Sequence, residues 1–169
     1  MPLLENDVIF AFLNEYDPNH AIAERIFQKL QNGEISVEIS SVSLIEMELI
    51  YRSEKMEDKL LKDLAAIAAL PHVKYVTLTP DVAVASVYLR QTLNLTFFDS
   101  HYAATALNLD RKVISFDKAY DMVPGLTRIK PGTFNFKEET EKVRKLLEKV
   151  KPSERGFAAK SVREDRESH

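Results

Sequence analysis

The chain has no cysteine among its 169 residues. That excludes disulfides and thiolate metal ligands, so any metal site must use carboxylate, histidine or water, and hard, oxygen-liking cations become the default. Long apolar runs are missing too. The longest, such as Val8 to Leu13 and Leu64 to Leu70, fall far short of the ~20 residues a membrane span needs. No basic region precedes an apolar one at the N-terminus, so the expectation is a soluble, cytoplasmic protein with no membrane partner. Glycine is scarce, and Gly33, Gly125, Gly132 and Gly156 are too scattered for a loop that cradles phosphate. Positive charge is short in the body of the chain. Residues 137–169 hold 10 of the 23 Lys/Arg and 8 of the 26 Asp/Glu, which leaves 13 against 18 in residues 1–136. A broad basic face for nucleic acid is therefore not available, and such contact would need bound cations or local patches.

What is present is core-forming residue and helical or strand periodicity. At 45% hydrophobic residues the chain can bury a substantial core, expected as one domain over residues 1–136. Pro2 to Glu5 has strand character and ends in an acid. Val8 to Leu13 reads as a short buried helix. Asp17-Pro18 reads as the next helix start, with Asp as N-cap, followed by Ala23, Ile26, Phe27 and Leu30 and stopped at Asn32-Gly33. Ile35, Val37 and Ile39 alternate with polar residues up to Ser40, the pattern of a strand with one buried face. Ser41 to Glu46 opens a helix in which Ser43 and Glu46 fit a capping box. A helix over Leu60, Leu64 and Ile67 ends before Pro71, a strand spans Val73 to Leu78, and Thr79-Pro80-Asp81 starts another helix.

Two later stretches stand out. Phe97-Phe98-Asp99-Ser100-His101-Tyr102-Ala103-Ala104-Thr105-Ala106 leads a helix of small residues with one carboxylate. Val113-Ile114-Ser115-Phe116-Asp117 is a strand-like run that stops at a second. A helical turn over Lys118 to Met122 and an edge strand over Leu126 to Ile129 complete the body. Residues 137–151 place Val143, Leu146, Leu147 and Val150 on one face of an amphipathic helix, and residues 152–169 form a charged tail expected to be mobile.

Strands alternating with helices predict an α/β fold with a mainly parallel central sheet. Ligands in such sheets gather at the carboxyl ends of the strands. Glu5 and Asp117 fall at strand ends there, and Glu46 and Asp99 at helix starts on the same rim, so four acids can converge. Clustered carboxylates repel unless a cation neutralises them. Magnesium or manganese suits such an oxygen set better than zinc does, and phosphodiester hydrolysis is the chemistry those ions support. Capping alone remains the competing reading of each acid.

The segments carrying these acids resemble the PIN-domain ribonucleases, and especially the VapC-like toxins of prokaryotic toxin–antitoxin pairs, over roughly residues 3 to 131. The family's opening, a strand ending Asp-x-Asn or Asp-x-Ser before an apolar helix, looks like Leu4-Glu5-Asn6-Asp7-Val8-Ile9. Its Ser/Thr-led helix start with Glu three residues on looks like Ser43-Leu44-Ile45-Glu46. Asp followed by a small-residue helix is similar to Asp99 to Ala106, and Thr/Ser-x-Asp with a following aromatic to Ser115-Phe116-Asp117-Lys118-Ala119-Tyr120. The resemblance implies a three-layer α/β/α PIN-like fold and a metal-dependent endoribonuclease. Glu5, Glu46, Asp99 and Asp117 would bind one or two magnesium or manganese ions that activate the water cutting RNA, with Asp7 and Ser115 as accessory contacts. It further implies a homodimer and an antitoxin protein as partner. The departure lies at Glu5, where the family has Asp; Asp7 stands where it has Asn or Ser and adds a charge beside it.

The runner-up is a catalytically inactive PIN-like scaffold that binds RNA or protein, supported by Glu5 and the acidic body. A haloacid-dehalogenase-like phosphatase also places acids at strand ends, but needs an Asp nucleophile where Glu5 stands. His101 points away from Asp99 along the helix and reads as a structural histidine. Phe97, Phe98 and Tyr102 read as core, and Arg52, Lys55 and Lys118 as ordinary surface charge.

Overall fold

In the computed structural model, which describes residues 1–133, five short strands lie parallel in one sheet of order β3-β2-β1-β4-β5. They are β1 (Leu3–Leu4), β2 (Val37–Ser40), β3 (Val73–Val76), β4 (Lys112–Ile114) and β5 (Thr127–Ile129). Between them run α1 (Asn6–Leu13), α2 (His20–Gln31), α3 (Ser41–Ser53), α4 (Glu57–Ala68), α5 (Pro80–Leu93) and α6 (Phe97–Asn108), with 3-10 turns at Lys118–Met122 and Pro131–Thr133. This is the expected three-layer α/β/α arrangement with an all-parallel sheet. The helix expected over 137–151 and the tail over 152–169 lie outside the described residues. Among the described residues no helix is long and apolar enough to cross a membrane.

Parallel strands covered on both faces should read as continuous apolar runs. β1, at the centre, obeys that rule with Leu3 and Leu4 both fully buried, paired to Glu38 on one side and to Val113 and Ile114 on the other. β2 corrects the expectation of a single buried face, because all four of its residues are buried. Glu38 tolerates this because Lys74, its register partner on β3, places Nζ 3.0 Å from Glu38 Oε1.

Helix boundaries follow local chemistry. Asp17 is not the N-cap of α2. Its Oδ1 accepts the Asn19 N–H at 2.7 Å and its carbonyl accepts the His20 N–H at 2.9 Å, so a turn intervenes and the helix begins at His20 with Asn19 before it. Gly33 ends α2 as expected, in the left-handed region at φ +69 where a Cβ would also meet the His72 ring at 3.0 Å. Thr79 caps α5 by accepting the Val82 N–H, with Pro80 in the first turn.

The largest stabilisation comes from burial, at ~1.5–3 kcal/mol for each fully enclosed large side chain. Phe12 stacks on Phe27 with centroids 3.9 Å apart between α1 and α2. α5 and α6 join β1 and β4 in a core of Leu3, Val82, Leu89, Tyr102, Val113 and Tyr120, and Ala103, Ala104 and Ala106 let α6 lie close to it. Phe97 does not join that core: as the first residue of α6 it stands 54% exposed, whereas Phe98 is partly buried.

Candidate active site

β1 is short because Glu5 turns the chain into α1. Glu5 stands at the N-cap of that helix without making a side-chain capping bond, so its carboxyl is free of local duty. It is buried, at 6% exposure, and its Oε2 receives the Ser115 hydroxyl at 3.1 Å. Burial above all, then contact with Asp7 and the charges of Asp7 and Glu46, push this carboxyl well above the usual carboxylate range.

Asp7, in the first turn of α1, fixes the loop that follows β4. Its Oδ2 accepts the Ser115 hydroxyl at 2.7 Å, the Phe116 N–H at 2.7 Å and the Asp117 N–H at 3.1 Å. Ser115 thus sits between Asp7 and Glu5, and its oxygen accepts the Asp117 N–H at 2.9 Å. The second oxygen of Asp7, Oδ1, is buried with no hydrogen-bond partner.

At Glu46 the local and the tertiary readings separate. Ser40, not Ser43, caps α3, accepting the Val42 N–H at 3.2 Å. The helix has therefore begun before Ser43, the expected Ser43–Glu46 capping box is not formed, and the Ser43 hydroxyl is buried without a partner. Glu46 Oε2 instead receives Asn6 Nδ2 at 2.7 Å and the Tyr102 hydroxyl at 2.5 Å. Burial raises the proton affinity of Glu46, the Tyr102 and Asn6 bonds oppose that, and the charges of Asp99 and Asp7 add to it.

Asp99 keeps a structural duty as well. Thr96 is the N-cap of α6; its hydroxyl oxygen accepts the Asp99 N–H at 3.2 Å and its proton goes to Asp99 Oδ2 at 2.5 Å. The same carboxylate lies near enough to act on Glu46 and Tyr120. Asp117 is exposed, and its Oδ1 caps the 3-10 turn through the Ala119 N–H at 2.8 Å; its backbone, rather than its carboxylate, is what Asp7 holds. Glu5, Asp7, Glu46 and Asp99 therefore share one electrostatic environment, with Asp117 tied to its edge. Among the described residues no three acidic or histidine side chains surround one point as they stand, each acid being engaged by the donors just named.

The donor set nonetheless fits a hard divalent cation. All candidate ligands are carboxylate oxygens, the natural partners of magnesium and manganese. Burial first, and then the charges of the neighbouring acids, lift the proton affinity of Glu5 and Glu46, and Asp7 Oδ1 is a buried acceptor without a donor. A cation would relieve the charge repulsion and pair that acceptor.

Two residues of the site, Asn6 and Tyr102, are not evident as site residues from sequence patterns, and Tyr120 enters there only as the aromatic that follows Asp117. Asn6 also donates to the Ser43 carbonyl at 2.9 Å and so ties α1 to α3; its only sequence signal is an amide opening an otherwise apolar helix. Tyr102 reads as core and is core, but its hydroxyl is the donor to Glu46. The Tyr120 hydroxyl is buried without a partner, and burial followed by the charges of Glu5, Asp99 and Asp7 raises it well above a normal phenol. His101 is the structural histidine expected: Nδ1 donates to the Phe97 carbonyl at 2.7 Å, and Nε2 meets Ser86 Oγ at 3.2 Å. Arg52 and Lys55 sit at the far end of α3, and Lys118 is exposed beside Asp117.

Comparison with known proteins agrees with this fold. The PIN domain family matches residues 3–126. No curated protein sequence matches the chain. Among solved structures, VapBC2 from Rickettsia felis bound to a DNA fragment from its promoter superposes with a TM-score of 0.61 at 14% identity, over 75% of this chain and 96% of that one. Mycobacterium tuberculosis VapC20, a sarcin-ricin-loop-cleaving toxin, gives 0.57 at 19% over 70% and 91%. A toxin–antitoxin complex from Klebsiella pneumoniae gives 0.53 at 20% over 78% and 98%. At these identities the likeness is one of fold.

Proposed function

The chain belongs to the PIN domain family, and from that premise we propose that it is a metal-dependent endoribonuclease hydrolysing RNA phosphodiester bonds. The observation that carries the proposal is the gathering of Glu5, Asp7, Glu46 and Asp99 at the carboxyl edge of the sheet, with two of these carboxyls held above their ordinary range. Glu5, Glu46, Asp99 and Asp117, with Asp7 as accessory ligand, would hold magnesium or manganese, which would supply positive charge beside the phosphate and a water that loses its proton readily.

The protein's own residues prepare that chemistry. Tyr102 and Asn6 both bond Oε2 of Glu46, which fixes the carboxylate plane and leaves Oε1 for a cation. Asp7 and Ser115 hold the loop after β4 so that Asp117 stands at the rim. Thr96 sets the rotamer of Asp99 through Oδ2 and leaves Oδ1 for a ligand. Glu5, longer by one methylene than the family's Asp, reaches Ser115 at the floor of the site.

Solved neighbours that are toxin–antitoxin complexes support the further proposal that this is the toxin of such a pair, acting in the cytoplasm and held by an antitoxin protein. Exposed apolar side chains at Ile45 and Leu49 on α3 and at Val84, Val87 and Tyr88 on α5 support a homodimer. The test is cleavage of a labelled single-stranded RNA by wild type and Asp99→Asn with magnesium, manganese or chelator. Cutting that needs metal and vanishes in the variant is expected. RNA binding without cutting under any metal would overturn the enzyme reading and leave the scaffold.

A further inference from the structure

Phe97 is an exposed aromatic ring with a built seat. It lies two residues before Asp99, and Arg90 of α5 places its guanidinium carbon 5.0 Å from the ring centroid. Phe98 meets it edge-on at 5.2 Å, and the His101 ring lies 4.5 Å away. His101 is in turn fixed between Ser86 and the Phe97 carbonyl, so the ring is held while 54% of the residue faces solvent. Arg90 has no ion pair among the described residues, and its Nη1 is buried without a hydrogen-bond partner. In a body with 18 acids against 13 basic residues, a guanidinium with no ion pair among the described residues and laid on an aromatic ring is suited to pair an outside anion through N–H groups other than the buried Nη1.

We propose that Phe97 and Arg90 form a nucleotide subsite beside the acidic centre: an unpaired base of single-stranded RNA stacks on Phe97, and Arg90 takes a flanking phosphate. The inference rests on the ribonuclease reading and names its substrate class. Residues two apart on a helix project to nearly opposite sides, and a helix with side chains is about 10 Å across. The ring therefore lies across the first turn of α6 from Asp99, where a nucleotide neighbouring the cut one would be. Stacking selects an unpaired base, since a base inside a duplex has both faces covered. Arginine adds charge where the acidic body supplies little, and its planar group both lies on the ring and bonds phosphate oxygens.

The test measures binding of a fluorescent single-stranded oligoribonucleotide and of a blunt duplex to the full chain in chelator, so that nothing is cut. Phe97→Ala is expected to weaken single-strand binding by about tenfold or more while Phe97→Trp retains it, and to leave the weaker duplex binding unchanged. Arg90→Gln is expected to weaken binding and to reduce the dependence on salt by about one phosphate contact, with Arg90→Lys intermediate. Sedimentation and thermal unfolding of each variant accompany the titrations. Single-strand affinity unchanged in Phe97→Ala overturns the proposal, and a loss of self-association without a loss of RNA affinity assigns the ring to a protein contact instead. If wild type cuts RNA and Phe97→Ala binds it equally well, only the subsite falls; if wild type neither binds nor cuts RNA, the subsite falls together with the ribonuclease reading.

Discussion

Replacing Glu5 by Gln should stabilise the metal-free protein while abolishing its activity. Glu5 is 6% exposed and its charge is opposed first by burial and then by Asp7 and Glu46. Its folded proton affinity therefore exceeds that of the unfolded chain, where a Glu titrates near pH ~4.3. Between those two values the native state keeps a proton that the unfolded state has released, so wild-type stability falls as pH rises through the interval. Every tenfold difference in proton affinity between the two states is worth ~1.4 kcal/mol. With the Ser115 bond retained by an amide oxygen, Glu5→Gln should gain about 1–3 kcal/mol at pH 8, or ~2–10 °C in Tm for a chain of this size. The assay is urea unfolding in chelator from pH 4 to pH 8. The gap between variant and wild type should be near zero at pH 4 and widen with pH, and added magnesium should favour wild type by binding only its native state. A variant less stable than wild type by the same amount at both pH values would refute the reasoning, because Glu5 would then be a well-satisfied structural carboxylate.

Other perturbations have distinct signatures. Tyr102→Phe removes a donor that favours the ionised form of Glu46, so cleavage should fall about tenfold, in line with ~1.5–3 kcal/mol for a bond to a charged group, and the pH–rate profile should move to higher pH. Asp7→Ala strips the acceptor from Ser115, Phe116 and Asp117; the expected cost is about 2–4 kcal/mol in denaturant unfolding, with faster amide exchange at Phe116 and Asp117. Lys74→Ala leaves Glu38 buried and unpaired and should cost about 1–3 kcal/mol, less than a fully buried pair because Lys74 is mostly in water. Most of that loss should return in the double variant with Glu38→Gln.

Much of the candidate site was legible because its acids sit where short-range signals already point. Glu5 follows two leucines of strand character, and Ser115-Phe116-Asp117 follows an apolar run, so both fell at the sheet edge without tertiary knowledge. The parallel sheet was legible from alternation of strands and helices. What was not legible depended on partners distant in sequence. Ser40, Ser41 and Ser43 all offer cap chemistry, and only packing of α3 decides that Ser40 is used, which frees Glu46 for Asn6 and Tyr102. Tyr102 lies at a core position by every local measure, and its hydroxyl acquires meaning from a carboxylate 56 residues away. Glu38 looked like the solvent face of β2 because its alternation is genuine, yet Lys74 of the next strand lets it be buried. Phe97 looked like core by type, and its place as first residue of α6 put it outside.

Whether the clustered acids form a cation site is decided by calorimetric titration of manganese into the metal-free protein in buffers of different ionisation enthalpy. Binding should release protons from the Glu5 and Glu46 carboxyls, the release should shrink in Glu5→Gln, and binding should be lost in Asp99→Asn. Absence of binding in wild type, or binding that proceeds unchanged in Asp99→Asn without proton release, would contradict a cation site there.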